Sequence, residues 1–289
     1  MVVFFADSDM DVTKQDAEEL GIKLISMPYC VDGKEIYPYI DFEEFDSKAF
    51  YDLLREGVLP STCALNESVY IKYFEPVFAE GNDIFYIHFS RAMSGTFDSM
   101  DKALEKLGAK YPERRFYEID TKGITTISLA LFYQVMDLYN KGMSPEELEE
   151  WGKTGIYTFA MYFFADDLKF FKKSGRVSGL AATFGTILGV RPIIYMSPEG
   201  KMESIGKEKG RSKAIERLLS YIEEIGDHIT DYPIYIGHTD AEEAVEEVVT
   251  ELKNRYGNDI NIIIRPVNPT AGAHCGPDAV GICFHAVGR

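Results

Sequence analysis

A turn rich in hydroxyl groups and glycine contains residues that could hold an anion. Residues 84–89 are largely apolar and typical of a buried strand, and Ser94, Gly95 and Thr96 follow at the start of a helical pattern. The first amides of a helix carry partial positive charge, glycine lets a ligand approach the backbone, and the two hydroxyl groups are short neutral donors. The turn therefore suits a carboxylate or a phosphate, although Ser and Thr also begin helices that bind nothing.

Two other segments carry polar side chains among small residues. Residues 268–281 are predicted to form a glycine-rich loop that leads into a final strand, with His274 exposed and oriented within it. A lone histidine in a loop also fits a structural or solvent-facing role. Thr62 belongs to a second hydroxyl-bearing turn, residues 60–63, which by itself indicates no function.

The first half of the chain alternates between strand-like and helical patterns. We predict strands at 2–6, 22–27, 84–89 and 115–119. We predict helices from a Thr13 cap to Gly21, from Phe97 to a stop at Gly108, over 124–138 with an end by Gly142, and from a Ser144 cap through Trp151. This half is predicted to be a parallel sheet between helices.

The second half repeats the alternation. We predict strands at 157–164, 193–197, 234–237, 260–265 and 280–285, with helices capped by Ser212 and by Thr239 with Glu242. The fold class is therefore α/β, with one domain over 1–155 and a second over 156–289, and residues near 60–80 could pack with the second. A ligand between two such domains, at the carboxyl ends of strands, is the default geometry.

Composition places the chain among ordinary globular proteins. Its 289 residues are 46% hydrophobic and 27% charged, close to the averages for soluble domains. The four cysteines lie far apart without Cys-x-x-Cys spacing, which indicates neither a zinc site nor a disulfide framework. The first strand lacks the basic region of a signal peptide, and no apolar stretch reaches ~18 residues, so we expect a cytoplasmic protein without stable membrane insertion.

Charge also separates classes of partner. Thirty basic and 47 acidic residues give a net charge of −17, which argues against general binding of nucleic acid or anionic membranes. Residues 169–217 are the exception, because they contain 11 basic and four acidic side chains. This stretch indicates a docking surface, or a solvated basic face that balances its acidic neighbours.

Ordered motifs along nearly the whole chain resemble those of one family. They are Asp7-Ser8-Asp9, Pro60-Ser61-Thr62-Cys63, Ser94-Gly95-Thr96-Phe97 with Ser99, Ser174-Gly175-Arg176-Val177-Ser178, Arg191-Pro192-Ile193-Ile194, and Gly276-Pro277 with Gly281. The chain thereby resembles the DegV family, which includes the fatty-acid-binding subunits of bacterial fatty acid kinase. The Ser-Gly-Thr stretch is the most specific of these signatures.

The resemblance implies a fold and a ligand. It implies a parallel amino-terminal sheet flanked by helices, a carboxyl-terminal α/β domain with a mixed sheet, and a ligand in the cleft between them. One long-chain fatty acid would lie in an apolar tunnel, with its carboxylate bound by Thr62, Ser94, Gly95 and His274. Hydroxyl and imidazole groups suit this role because they donate hydrogen bonds without a bidentate salt bridge.

The resemblance also implies a partner. A separate fatty acid kinase would bring ATP and convert the bound acid to an acyl phosphate, so the chain itself would be a lipid-binding protein, not an enzyme, with no cofactor or metal. The sequence contains no Gly-x-x-x-x-Gly-Lys-Ser/Thr loop for a nucleotide. Arg176 and Arg211 are weaker candidates for contact with the kinase or the phosphoryl group, and a monomer is the default expectation.

The chain departs from the family pattern at several positions. Cys63 replaces the usual Ser, Arg191 replaces the usual Lys, Asp278 follows Gly276-Pro277 where glycine is common, and residues 120–126 contain fewer small side chains. These changes leave the acyl chain length and unsaturation open, and another acidic lipid is an alternative ligand.

Aromatic residues cluster in one predicted strand. Phe159, Tyr162, Phe163 and Phe164 lie within the apolar run 157–164. They could line an acyl tunnel, or they could be ordinary core residues, since aromatic side chains are usually buried.

Two other functions use the same residues. A hydrolase would use Ser94 as nucleophile and His274 as base, with Asp7 or Asp120 orienting the imidazole. The segment lacks the first glycine of the Gly-x-Ser-x-Gly elbow, which favours binding over hydrolysis. A regulatory lipid sensor, which would load lipid without supporting phosphorylation, is the third possibility.

Overall fold

The computed structural model describes residues 1–166, 168–178 and 189–289. Within them the strands are β1 (Val2–Asp7), β2 (Lys23–Ile25), β3 (Tyr29–Val31), β4 (Lys34–Ile36), β5 (Ser61–Thr62), β6 (Asp83–His88), β7 (Phe116–Asp120), β8 (Phe159–Phe164), β9 (Val177–Ser178), β10 (Val190–Met196), β11 (Met202–Lys209), β12 (Ile234–His238), β13 (Ile262–Pro266) and β14 (Val280–His285). The helices are α1 (Lys14–Leu20), α2 (Ser47–Arg55), α3 (Glu67–Ala79), α4 (Thr96–Lys110), α5 (Thr126–Asn140), α6 (Pro145–Gly155), α7 (Lys169–Ser174), α8 (Arg211–Ile225), α9 (Glu242–Tyr256) and α10 (Pro269–Cys275).

A four-stranded parallel sheet forms from the first half of the chain. Its order is β2–β1–β6–β7, and each neighbouring pair is parallel. The strands β1 and β6 are almost entirely buried, as expected when helices cover both faces of a parallel sheet. The carboxyl ends of β1, β6 and β7 meet at one edge, which confirms the predicted parallel sheet.

The second half forms a seven-stranded mixed sheet. Its order is β13–β12–β14–β8–β10–β11–β9, with parallel pairs at β12–β13 and β11–β9 and antiparallel pairs elsewhere. Helix α5, from the first half, packs against β8, β12 and β14 and so joins the two sheets. The α/β class and the mixed second sheet are confirmed. The division near Gly155, where α6 ends, stays a prediction.

A third, small sheet was not predicted from the sequence. It has the order β4–β3–β5, and its strands are too short to show an apolar alternation. Tyr29, Phe50 and Tyr51 form an aromatic cluster with Phe170 of α7 and Ala273 of α10. The small sheet therefore lies against second-half elements, whereas α3 packs on α4 and β6 of the first half.

The predicted helix ends were right where side chains form complete caps. The Thr13 hydroxyl accepts from the Asp16 amide and the Asp16 carboxylate accepts from the Thr13 amide, and Gly21 ends α1 in the left-handed region. Ser144 and Glu147 form a second capping box. Helix α6 then continues beyond the predicted Trp151 to Gly155.

Other predicted ends were wrong for identifiable reasons. Helix α4 continues through Gly108 to Lys110, since Gly108 does not adopt a positive φ. Helix α8 begins one residue before Ser212, because Gly210 (φ 87°) turns the backbone there. The Thr239 hydroxyl accepts a hydrogen bond from the Ala279 amide at 2.8 Å instead of capping α9.

Helix α5 begins later than predicted. Its first residue is Thr126, and the preceding Thr125 has φ 57° and ψ −135°, a conformation that a β-branched residue rarely adopts. The Thr125 amide donates to the Asp9 carbonyl at 2.8 Å, which holds this turn against the end of β1.

Candidate functional site

The segment that carries His274 is a helix and not the predicted loop. Asn268 caps α10, because its Oδ1 atom accepts from the Ala271 amide at 2.9 Å, and Pro269 occupies the first helical position. His274 lies in the last turn and is partly buried, not exposed. The sequence missed this helix because its small residues, Ala and Gly, show no apolar period.

Asn268 also ties α10 to the end of β1. Its Nδ2 atom donates to the Asp9 carbonyl at 3.1 Å and to Asp11 Oδ1 at 2.9 Å. The Thr270 hydroxyl donates to the Met27 carbonyl at 3.1 Å. These bonds hold the helix of His274 against the edge of the parallel sheet.

Thr62 and His274 form one hydrogen-bonded pair. Thr62 Oγ1 lies 3.1 Å from His274 Nε2, and both side chains are partly buried. The small sheet supplies Thr62 from β5, while α10 supplies His274. Two of the predicted carboxylate ligands therefore meet directly.

The turn that contains Ser94 and Gly95 begins α4. Gly95 occupies the N-cap position without a side-chain cap, and Ser94 Oγ accepts from the Thr96 amide at 3.2 Å. The expectation that Thr96 offers a free donor needs correction. Its Oγ1 lies 2.9 Å from the Tyr70 hydroxyl and accepts from the Leu65 amide at 3.1 Å, so this side chain is used to pack α3 and α4.

These residues surround a cavity of about 110 Å³, here named the polar cavity. Its walls come from both halves of the chain: Asp9, Met27, Thr62, Cys63, Ala64, Phe89, Met93, Ser94, Gly95, Thr96, Ile124, Arg176, Thr270 and His274. All four predicted carboxylate ligands and Arg176 line it. The structure thus brings these five residues together from four separate segments of the chain.

A second cavity adjoins the first and is almost wholly apolar. This apolar cavity, of about 40 Å³, is lined by Met93, Ile124, Thr125, Thr126, Met161, Phe163, Met202, Gly237, Thr239, Val267, Ala271, His274, Cys275, Ala279, Val280 and Gly281. Met93, Ile124 and His274 belong to both walls. The pair of cavities therefore places polar groups at one end and apolar side chains at the other.

Only one of the four aromatic residues singled out in β8 lines the apolar cavity. Phe163 does so, and Met161 lies two residues earlier on the same face. Tyr162 and Phe164 point to the opposite face and pack beneath α8 and α9, while Phe159 is buried in the larger core. The alternation of side chains along a strand accounts for this split.

Basic groups make the polar cavity favourable for an anion. Lys173 Nζ donates to the Leu59 carbonyl at 2.6 Å, and Arg176 Nε donates to the Met93 carbonyl at 3.2 Å. Burial, with smaller contributions from Arg176 and Lys173, lowers the pKa of His274 to about 4. The imidazole is therefore neutral at pH 7, and the positive charge comes from the two exposed cations.

Arg211 lies elsewhere. Its guanidinium is paired with Glu243 Oε2 at 3.2 Å and with Glu247 Oε1 at 2.6 Å, on the surface between α8 and α9. Residues 169–217 therefore do not form one basic surface, because Arg176 lines the polar cavity and Arg211 does not. Residues 179–188 of this stretch lie outside the described residues. Arg191, which replaces the family lysine, pairs with Asp166 and not with the polar cavity.

The hydrolase arrangement does not form in the described part of the chain. Asp7 accepts hydrogen bonds from the Tyr86 hydroxyl and the Phe89 amide, and Asp120 accepts from the Lys122 amide. Neither carboxylate is hydrogen-bonded to His274, whose described partner is Thr62. The imidazole is consequently not oriented as a general base by an acid.

Asp9 also lines the polar cavity, and no role was predicted for it from the sequence. Asp7 is the last residue of β1, Asp9 and Asp11 follow within four residues, and all three are buried. Burial raises the pKa of Asp7 to about 6 and that of Asp11 to about 7, and it holds the pKa of Asp9 well above its usual range. Closely spaced acids at a strand end were the signal that could have identified Asp9.

No described helix is long and apolar enough to cross a lipid bilayer.

Comparisons with known proteins agree on one family. The model of the DegV family of uncharacterised proteins matches residues 1–287. A DegV domain-containing protein of Clostridium perfringens is 30% identical over 282 residues, which cover 98% of this chain and 96% of that protein.

Solved structures share the whole fold. A stearic acid-binding protein from Eubacterium ventriosum has a TM-score of 0.86 at 20% identity, with 99% of this chain and 98% of that one covered. DegV from Bacillus subtilis, described as a fatty acid binding protein, has a TM-score of 0.81 at 23% identity and 99% coverage of both chains.

Proposed function

This chain belongs to the DegV family, and we propose that it binds one long-chain fatty acid across the polar and apolar cavities. The carboxylate would lie in the polar cavity and the acyl chain in the apolar one. The observation that carries the proposal is the shared wall of the two cavities, in which Met93, Ile124 and His274 take part in both. An amphipathic ligand with one anionic end fits this arrangement.

The carboxylate would accept hydrogen bonds from neutral groups. Ser94 offers a hydroxyl hydrogen, and the start of α4 at Gly95 offers backbone amides. Thr62 and the neutral His274 are bonded to each other, and this pair offers the one hydrogen that their mutual bond leaves free. Each hydrogen bond to a charged group contributes about 1.5–3 kcal/mol. Because these donors are neutral, the carboxylate would not be held by them in a bidentate salt bridge, and one of its oxygens would remain a nucleophile.

The acyl chain would be held by burial. Each methylene group removed from water contributes about 0.8 kcal/mol, so a long chain gains most of its affinity in the apolar cavity. A volume of about 40 Å³ has room for only a few water molecules, and a long chain would need the lining side chains to move. Met93, Met161 and Met202 suit this, because methionine is unbranched and adapts its shape.

We also propose that the bound acid is presented to a separate ATP-dependent kinase. We further propose that the protein acts in the cytoplasm and as a monomer. The carboxylate oxygen would attack the γ-phosphorus of ATP, and ADP would leave, giving an acyl phosphate. Arg176, exposed at the polar cavity, is a candidate to contact the kinase or the transferred phosphoryl group. Arg211 is a second candidate for docking only, since it lies outside the cavity.

Native mass spectrometry of the purified protein, followed by extraction and identification of any bound lipid, tests the first proposal. We expect one fatty acid per chain, either co-purified or after incubation with palmitate. A protein that stays empty in both conditions would contradict fatty-acid binding and would make an ester hydrolysis assay the next experiment.

Incubation of the loaded protein with ATP and a bacterial fatty acid kinase tests the second proposal. Hydroxylamine traps an acyl phosphate as a hydroxamate, so we expect hydroxamate only when protein, kinase and ATP are all present. Lipid loading without hydroxamate, with a kinase that is active on another fatty-acid-binding subunit, would instead indicate a regulatory lipid sensor.

A further inference from the structure

Asp9 is a buried acid in the wall of the polar cavity. Its side chain shares that wall with Thr62, Ser94 and His274, and the residue is 3% exposed. Its Oδ1 atom is buried and has no hydrogen-bond partner among the described residues. A buried polar atom without a partner is costly, so this carboxyl group is suited to a partner that the cavity receives.

The backbone around Asp9 is fixed. The Asp9 carbonyl accepts from the Thr125 amide at 2.8 Å and from Asn268 Nδ2 at 3.1 Å, while its amide donates to Asp7 Oδ1 at 3.1 Å. Elements from both halves of the chain therefore hold Asp9 at the cavity wall. A ligand does not need to move the backbone to reach it.

The charges around Asp9 favour its neutral form. Burial, with smaller contributions from the neighbouring Asp7 and Asp11, holds its pKa well above the usual range. His88 lowers the pKa of Asp7, Arg265 lowers that of Asp11, and the nearby Thr270 hydroxyl lowers that of Asp9. Across the cavity, Arg176 and Lys173 act on His274, and no described cation forms an ion pair with Asp9.

Resting on the proposed function, we propose that Asp9 binds the fatty acid as a neutral carboxylic acid, donating its hydrogen to the ligand carboxylate so that the two carboxyl groups share one proton. Two carboxyl groups in contact cannot both be ionised without strong repulsion, whereas one acid and one carboxylate form a strong hydrogen bond. Asp9 thereby selects an acid head group over an alcohol or an ester.

This arrangement links ligand binding to proton uptake. Where Asp9 is ionised in the empty protein, binding of the ligand anion takes up as much as one proton from solution. The dissociation constant then rises with pH, approaching about tenfold per pH unit. His274 does not produce the same effect near neutral pH, because its pKa in the empty protein is about 4.

The test is titration of palmitate, kept at monomeric concentration, from about pH 6 to about pH 9, where a simple carboxylic acid is ionised. Calorimetry in two buffers with different ionisation enthalpies counts the protons taken up. Wherever the pH exceeds the pKa of Asp9 in the empty protein, we expect uptake and a rising dissociation constant for the natural chain, and neither for Asp9→Asn, whose amide donates a hydrogen bond without titrating. Cetyl alcohol, which lacks a carboxyl group, should bind without proton uptake.

His274→Gln is the matched variant, since it changes a neighbouring head-group ligand. It should weaken binding while keeping the proton uptake. Binding of cetyl alcohol by the natural chain as tightly as palmitate, or a slope that survives in Asp9→Asn and disappears in His274→Gln, would overturn the role of Asp9. Both results differ from failure of the proposed function, in which palmitate does not bind at any pH. The comparison of palmitate with cetyl alcohol uses the natural chain, so a poorly folded Asp9→Asn does not leave the inference untested.

Discussion

Thr62 and His274 are 212 residues apart in the chain, and yet Thr62 Oγ1 lies 3.1 Å from His274 Nε2. The pair joins the small sheet of the first half to the last helix of the second. Since Ser94 and Arg176 line the same cavity, the contact marks the point at which distant segments build one anion site.

Removal of a single head-group ligand should weaken fatty-acid binding. We expect Ser94→Ala or His274→Ala to raise the dissociation constant about tenfold or more, because each loses a hydrogen bond to a charged group. Fluorescent fatty-acid displacement measures this. Ser99→Ala, in the first turn of the helix that follows Ser94 but in the wall of neither cavity, is the matched control and should bind normally. Unchanged affinity in both Ser94→Ala and His274→Ala would contradict the proposed carboxylate site.

Arg176 should matter more for phosphorylation than for loading. An exposed cation contributes up to about 1 kcal/mol to anion binding in water, so Arg176→Ala should change lipid affinity by no more than about fivefold. The kinase-dependent rate of hydroxamate formation should fall further, since a charge at the cavity acts on the partner and the phosphoryl group.

Arg211→Ala is the comparison for Arg176→Ala. It removes a cation paired with Glu243 and Glu247 outside the cavity, and it should leave lipid loading intact. A lower phosphorylation rate in this variant would locate a docking contact on α8 and α9. Loss of lipid loading in Arg211→Ala would indicate that this residue stabilises the fold and does not serve only in docking.

Phe163 and Phe164 should differ in their effect on ligand choice. Both are buried neighbours in β8, so replacement of either by Ala should lower the free energy of unfolding by about 3–5 kcal/mol. Only Phe163 lines the apolar cavity, so only Phe163→Ala should shift the extracted lipids toward longer or branched chains. Lipid analysis of both variants checks this, and the same shift in each would show that stability, not cavity shape, controls the ligand.

Stability should respond to pH through Asp11. Its pKa is about 7 in the folded chain against 3.8 for a free side chain, so its contribution is present at low pH and is lost as the pH rises through 7. Asp11→Asn removes this titration and keeps an oxygen for the Asn268 amide. At pH 8 the variant should be more stable by as much as about 4 kcal/mol, with a smaller difference at pH 5. Urea unfolding at the two values measures it, and parallel profiles would contradict the prediction.

Gly272 should tolerate no side chain. A Cβ atom there would collide with the hydroxyl end of the buried Tyr51, which donates to the Val267 carbonyl at 2.9 Å. Gly272→Ala should therefore lower the free energy of unfolding by about 1–3 kcal/mol and weaken lipid binding, since α10 carries His274. Gly108→Ala, in the last turn of α4 where an added Cβ atom contacts nothing, should instead stabilise the chain by as much as about 0.5–1 kcal/mol. Thermal unfolding of the two variants compares them directly.

Local residue patterns predicted much of the fold. The parallel strands and the capped helices α1 and α6 follow from apolar runs and from complete caps such as Thr13 with Asp16. Patterns with weak local signals were missed: β3, β4 and β5 have two or three residues each, and the segment of α10 consists mainly of small residues. Ser212 and Thr239 fit the cap pattern but do not cap helices. The backbone turns before Ser212, and the Thr239 hydroxyl accepts a hydrogen bond from the Ala279 amide instead.

The sequence by itself determined the residue types of the site, the α/β class and the motifs that indicate the family, because these depend on composition and on spacing along short segments. Only the tertiary structure decided that Thr62 meets His274, that Asp9 is buried in the cavity wall, that Arg176 reaches it and Arg211 does not, and that Phe163 lines it and Phe164 does not. Proximity, burial and the resulting pKa shifts arise from the packing of segments far apart in the chain, and no local pattern records that packing.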